Sequence, residues 1–94
     1  MTYVLVIHMV EDYDKWKPAY DEHGAIRKDK GSKGAFVFRN SDDPNQIVVM
    51  TNWENLESAK RFAEAEDLKI AMQKAGVKGK PDIYYLDEIE RTKY

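Results

Sequence analysis

Apolar positions along the chain change period several times, and each change marks an element. Tyr3 to Val10 is apolar except for His8, rich in Val and Ile, and bounded by Glu11-Asp12. A continuous run of that length predicts a strand buried on both faces. From Asp12 the apolar and aromatic positions recur at three and four: Tyr13, Trp16, Ala19, Tyr20, His23, Ile26, with Arg27 beside them. That is one face of an amphipathic helix ending near Gly31, with Asp12 as N-cap and Pro18 about one turn in, where proline is tolerated.

Ala35 to Arg39 predicts a second strand, led in by Gly31-Ser32-Lys33-Gly34, and Asn40 to Asn45 is turn chemistry at nearly every position. Gln46 to Trp53 predicts a third strand, making a hairpin with the second. Asn55 caps a helix with the stripe Leu56, Ala59, Phe62, Ala63. The stripe resumes five residues on at Leu68, Ala71, Met72 and Ala75, which predicts a break near Glu66-Asp67 and a short helix stopping at Gly76. Val77 to Pro81 reads as a loop, Ile83 to Ile89 as the last strand, and Glu90 to Tyr94 as a charged tail.

The order is βαββαβ. The expected fold is α+β and ferredoxin-like: one domain over residues 1–94, a four-stranded antiparallel sheet with the helices on one face. A sheet with its second face in water alternates apolar and polar residues. Here Tyr3, Leu5, Ile7 and Met9 take one face of the first strand and Val4, Val6 and Val10 the other. Phe36 and Phe38 oppose Ala35 and Val37, and Val48 and Met50 oppose Ile47 and Val49. Both faces are apolar and the helices cover one. Leaving the other bare exceeds the patch a soluble monomer tolerates, so a homodimer through the sheet face is expected. Parity defines the two sets without saying which meets the helices.

Composition narrows the partners. Fifteen Lys+Arg against 17 Asp+Glu give a net charge of −2, which argues against nucleic acid. There is no cysteine, hence no disulfide, thiolate site or thiol nucleophile. The apolar N-terminus is too short for a membrane span and lacks a basic leader, so no membrane partner is expected and the cytoplasm is the expected location.

Tyr13-Asp14-x-Trp16-Lys17-Pro18, His23, Arg27, Gly31, Phe38-Arg39-Asn40 and Asp42-Asp43-Pro44-Asn45 together resemble a subgroup of antibiotic biosynthesis monooxygenase-like proteins. Trp53, Ala59, Phe62, Leu68, Met72 and Ala75-Gly76-Val77 extend the likeness over essentially the whole chain. The resemblance implies the dimeric α+β barrel, in which two sheets share one barrel and each subunit holds a small pocket between helices and sheet. Members include cofactor-independent oxygenases of polyketide-type aromatics, haem-degrading enzymes and proteins without assigned activity. The oxygenases line their pocket with an Asn and a Trp. Asn52-Trp53 are adjacent in a strand and point to opposite faces, and the first strand carries His8 where an Asn would be expected.

His23, flanked by Tyr20 and Arg27, is the candidate general base; the plain alternative is a hydrogen-bonded histidine at the core edge. Arg27 is placed with it as the second catalytic candidate, while Tyr20, Trp53, Arg39 and His8 are candidate contacts to a small organic ligand. Two histidines without a third partner make a poor metal site, and no metal or cofactor is expected. No glycine-rich strand–helix turn suggests a nucleotide cofactor. Two functions stand side by side: an enzyme acting on a small planar, partly apolar molecule by oxygenation, isomerisation or proton transfer, or a non-catalytic ligand-binding or dimerisation module. A cavity lined by His23, Tyr20 and Arg27 favours the first, and a helix–sheet interface packed shut favours the second.

Overall fold

Alternating burial assigns the two faces of each strand. In a computed structural model describing Met1 to Tyr94, β1 (Thr2–Val10) buries Val4, Val6, His8 and Val10 under the helices. Leu5, Ile7 and Met9 are only half-buried on the opposite side. β3 (Gln46–Trp53) repeats the pattern, with Ile47, Val49, Thr51 and Trp53 buried. β1 and β3 are antiparallel with Val6 opposite Val49 and Ile7 opposite Val48, so faces match across the pair. β2 (Gly34–Arg39) adds to β3 with Phe38 opposite Val48, and β4 (Val77–Asp87) adds to β1 with Ile83 opposite Val6. The sheet order is β2-β3-β1-β4, antiparallel throughout. This is the expected ferredoxin-like α+β fold.

Four helical segments cover the Val6 face. α1 spans Tyr13–Glu22 and starts as expected on Asp12, whose carboxylate accepts from the Asp14 N–H at 3.0 Å. It does not continue to Gly31. The helix breaks at His23, and α2 (Gly24–Asp29) restarts with none of its residues buried. Glycine has low helix propensity, which favours the break at this point. α3 (Leu56–Ala63) is capped by Asn55, whose side-chain oxygen accepts from the Ser58 N–H at 2.8 Å. The expected second break is present, two residues earlier than read, and α4 (Glu66–Lys74) ends at Gly76 with φ +87.

Residues 77–81 correct the reading of a loop. They belong to β4, which pairs with β1 at Val10 and Met9, shifts register, and pairs again from Ile7. Strand pairing wins because Val77 and Lys78 meet the end of β1 before the irregularity begins. The strand ends at Asp87 rather than Ile89.

Two groups of buried side chains form under the helices. One holds Val4, Val6, Trp53, Phe62 and Leu68; the other holds Val10, Trp16, Ile47, Val49 and Ala75. No helix is long and apolar enough to cross a membrane. The uncovered face carries Phe36, Phe38, Tyr84 and Leu86, which are 49%, 52%, 49% and 41% exposed in the single chain. That apolar surface has no helix to meet.

Candidate functional site

The seam between the two buried groups is not filled. Val6, Phe62 and Leu68 from one and Trp16, Val49 and Ala75 from the other line a half-open cavity of about 60 Å3. Its floor is β1 and β3 and its roof is α1, the break at His23, α2 and α4. It is room for a handful of water molecules. Ten of its 14 lining residues are hydrophobic, so each polar group in the wall acts in a low-dielectric setting.

Four of the six residues singled out in the sequence line this cavity: His8, Tyr20, His23 and Arg27. His8 rises from β1 because its parity is that of Val6, and it is 6% exposed. Both its ring nitrogens are buried without a hydrogen-bond partner. Nε2 of His23 is likewise buried and unpaired. Two unpaired imidazole edges in an apolar cavity are costly unless something else bonds them.

Tyr20 and Arg27 form one unit. Arg27 lies over the Tyr20 ring at 3.8 Å and donates from Nη1 to the Tyr20 carbonyl at 3.1 Å. This contact spans the helix break, so the arginine is held in place by α1 while it belongs to α2. Burial lowers the Arg27 pKa from its ordinary value and raises that of Tyr20. Burial and then the Arg27 charge lower the His23 pKa. His23 is therefore a neutral imidazole at neutral pH, able to accept a proton. A bridge between Lys30 and Asp67 at 3.1 Å ties the end of α2 to the start of α4 beside it.

Trp53 and Arg39 are not in the cavity wall. Trp53 is fully buried, stacks on Phe62 at 4.7 Å, and donates from Nε1 to Thr51 Oγ1 at 2.8 Å. Its partners Thr51 and Phe62 do line the cavity. Arg39 lies over Tyr13 at 4.7 Å, at the far end of an aromatic column. That column runs Tyr13, Trp16, Tyr20, with centroids 6.0 and 4.9 Å apart, and Arg27 closes its other end. Trp16 is the wall residue that sequence reading did not place at the site. It packs against His8 at 5.7 Å, and its i, i+4 spacing from Tyr20 was the available signal. Asn52 points away from Trp53, as parity requires, with its Oδ1 buried and unpaired on the uncovered side. Nowhere do three His, Asp or Glu side chains converge.

The His8 environment sets a pH dependence. Burial lowers its pKa from 6.5 to about 4. The unfolded chain then binds the proton that the folded chain refuses, so stability is full above pH 6.5 and falls as pH drops toward 4. The shift corresponds to about 3 kcal/mol, reduced to roughly 2 where cavity water solvates the imidazolium. His8→Leu removes the titration and the unpaired nitrogens together. Urea unfolding at fixed protein concentration should show the variant more stable at neutral pH and flatter across that window. Parallel pH profiles for both proteins would refute the assignment.

Among known proteins, a family model described as antibiotic biosynthesis monooxygenase matches residues 11–74. A search of curated protein sequences finds no match. A provisionally named antibiotic biosynthesis monooxygenase from Bordetella bronchiseptica superposes with a TM-score of 0.80 at 10% identity, over 95% of this chain and 97% of its own. SnoaB, a cofactor-independent oxygenase from Streptomyces nogalater, superposes with a TM-score of 0.77 at 11% identity, over 99% and 96%. A conserved protein from Methanosarcina mazei gives 0.65 at 11%, over 94% and 92%. At these identities the likeness is one of fold.

Proposed function

The chain belongs to the antibiotic biosynthesis monooxygenase family, and from that premise we propose that it is a homodimeric, cofactor-independent oxygenase of small electron-rich aromatic alcohols. The observation that carries this reading is that His23, with its Nε2 unpaired, and a half-buried Arg27 anchored on Tyr20 line the wall of one largely apolar cavity. Cofactor-free oxygenation needs a substrate that becomes a strong reductant on losing a proton. His23 Nε2 takes the phenolic proton, and the Arg27 guanidinium stabilises the phenolate oxygen. The electron-rich ring then reduces dioxygen directly. One oxygen atom enters the ring carbon as a carbonyl and the other leaves as water. Apolar walls favour dioxygen and withhold the bulk water that would reprotonate the anion. His8 and Thr51 on the floor orient the ring edge. SnoaB, a cofactor-independent oxygenase, shares the fold, which supports the reading only at that level.

One observation favours the second reading, a binding module without turnover: the cavity holds only about 60 Å3. The two readings part on dioxygen uptake. With 1-naphthol as probe, the enzyme reading expects one dioxygen consumed per 1,4-naphthoquinone formed, above the rate in buffer. Arg27→Gln should weaken naphthol binding about tenfold through loss of a hydrogen bond to a developing charge. Tight naphthol binding with uptake at the buffer rate would leave the binding module in its place.

A further inference from the structure

A larger cavity opens on the other side of Leu68 and Met72. It lies between α4 and the first half of β4 and encloses about 340 Å3. The β4 irregularity makes it. Lys78 pairs with Met9 and Asp82 with Ile7, so Gly79, Lys80 and Pro81 all stand opposite the single residue His8. Three residues against one push the strand outward, with Gly79 at φ +68. The floor of the resulting groove is apolar, from Ala63, Leu68, Met72, Val77 and Ile83. Its rim carries Lys69 and Lys80, both exposed. No Asp or Glu lines it, and neither lysine belongs to an ion pair. The groove therefore combines an apolar floor with two cationic side chains and no carboxylate in its lining.

We propose that this groove is the outer half of the ligand site and holds the carboxylate end of an aromatic acid, whose ring passes Met72 into the cavity of His8 and His23. The inference rests on the reading of that cavity as a ligand site. Leu68 and Met72 line both spaces and are the only partition between them named by either wall. Methionine is unbranched and readily changes rotamer, and Met72 is only half-buried, so its movement joins the two. Joined, they reach the size of ordinary small-ligand pockets, which the inner cavity alone does not. The charges then sort by position. Arg27 meets the reacting oxygen inside, and Lys69 and Lys80 meet a carboxylate in the solvent-exposed rim. The substrate class is a flat hydroxyaryl carboxylate with its two acidic groups at opposite ends.

The test uses 6-hydroxy-2-naphthoate and its neutral analogue 6-(hydroxymethyl)naphthalen-2-ol, followed by amide chemical shifts of the 94-residue chain. Both probes should shift the amides of Ala19 and His23, and the carboxylate alone should also shift Gly79 and Lys80. Lys69→Gln with Lys80→Gln, two exposed replacements that leave the core intact, should weaken the carboxylate about tenfold and the alcohol by less than twofold. Added salt should weaken only the carboxylate. Unchanged carboxylate affinity in the double variant, or silent Gly79 and Lys80 amides, overturns the groove while the alcohol's shifts at Ala19 and His23 keep the inner site. Silence of those two amides with both probes overturns the inner site itself.

Discussion

Val48→Asp should convert the protein from a dimer to a folded monomer, while Val49→Asp, one residue along the same strand, should prevent folding altogether. Val48 stands between Ile7 and Phe38 on the uncovered face. In the isolated chain it is half-buried, so an aspartate there can reach water. Across a sheet-to-sheet interface it would be sealed among Phe36, Phe38 and Met50 without a counter-charge, at a penalty of several kcal/mol. Val49 lies under the helices at 7% exposure, and the same charge there has no exit in either state. Sedimentation at micromolar concentration should give twice the chain mass for the parent and the chain mass for Val48→Asp, with helical circular dichroism retained. A monomeric parent, or a Val48→Asp variant that stays dimeric, would remove the sheet face as the interface.

Those two adjacent valines also show how far the sequence was legible. Period alone separated Val4, Val6 and Val10 from Leu5 and Ile7, because side chains on a strand alternate strictly. It could not say which set meets the helices; that depends on helix placement, which no local pattern encodes. Asp12 and Asn55 announced their helices because capping is a local hydrogen bond. The break at His23 was hidden, since apolar and aromatic positions keep their spacing through it and only Gly24 interrupts. Its position matters to function. The turn separates Arg27 from Tyr20 in secondary structure, yet the guanidinium reaches back over that ring.

The cavity was partly legible for the same reason. His8, Tyr20, His23 and Arg27 stood out as ionisable or polar groups on stripes otherwise apolar, and the fold gathers them. Trp53 and Arg39 were drawn in by residue type and end up elsewhere. Strand parity does place Trp53 beneath the helices, but its ring is taken up by Phe62 and Thr51 and is not part of the wall. Arg39 follows Val37 on the helix side and is taken up by Tyr13. Trp16 was passed over because an aromatic on a helix stripe reads first as core, which it also is. The β4 bulge was mistaken for a loop. Gly79 and Pro81 signal interrupted pairing, but they do not reveal that pairing resumes on both sides.

His23→Ala should lower the rate of naphthol oxygenation by at least about 10²-fold, the usual contribution of a positioned base, while changing stability by less than about 1 kcal/mol. The asymmetry follows from its surroundings. Nε2 makes no hydrogen bond in the fold, so truncation strands no partner. The backbone bonds that close α1 at His23 run from its N–H to Ala19 and survive any side chain. The residue lines a space that is already unfilled, so truncation enlarges it rather than opening a new void in packed core. The pH profile separates a base from a mere contact. Burial and Arg27 lower the His23 pKa from 6.5, so the imidazole is in its working, neutral form over the whole neutral range. The rate should fall on acidification only below pH 6.5, together with the His23 ring signals in a proton NMR titration. In His23→Ala that acid limb should vanish along with most of the rate. A variant that loses 1–3 kcal/mol of stability and keeps its rate would make His23 a structural residue. The base would then have to be sought in His8, the other unpaired imidazole of the cavity.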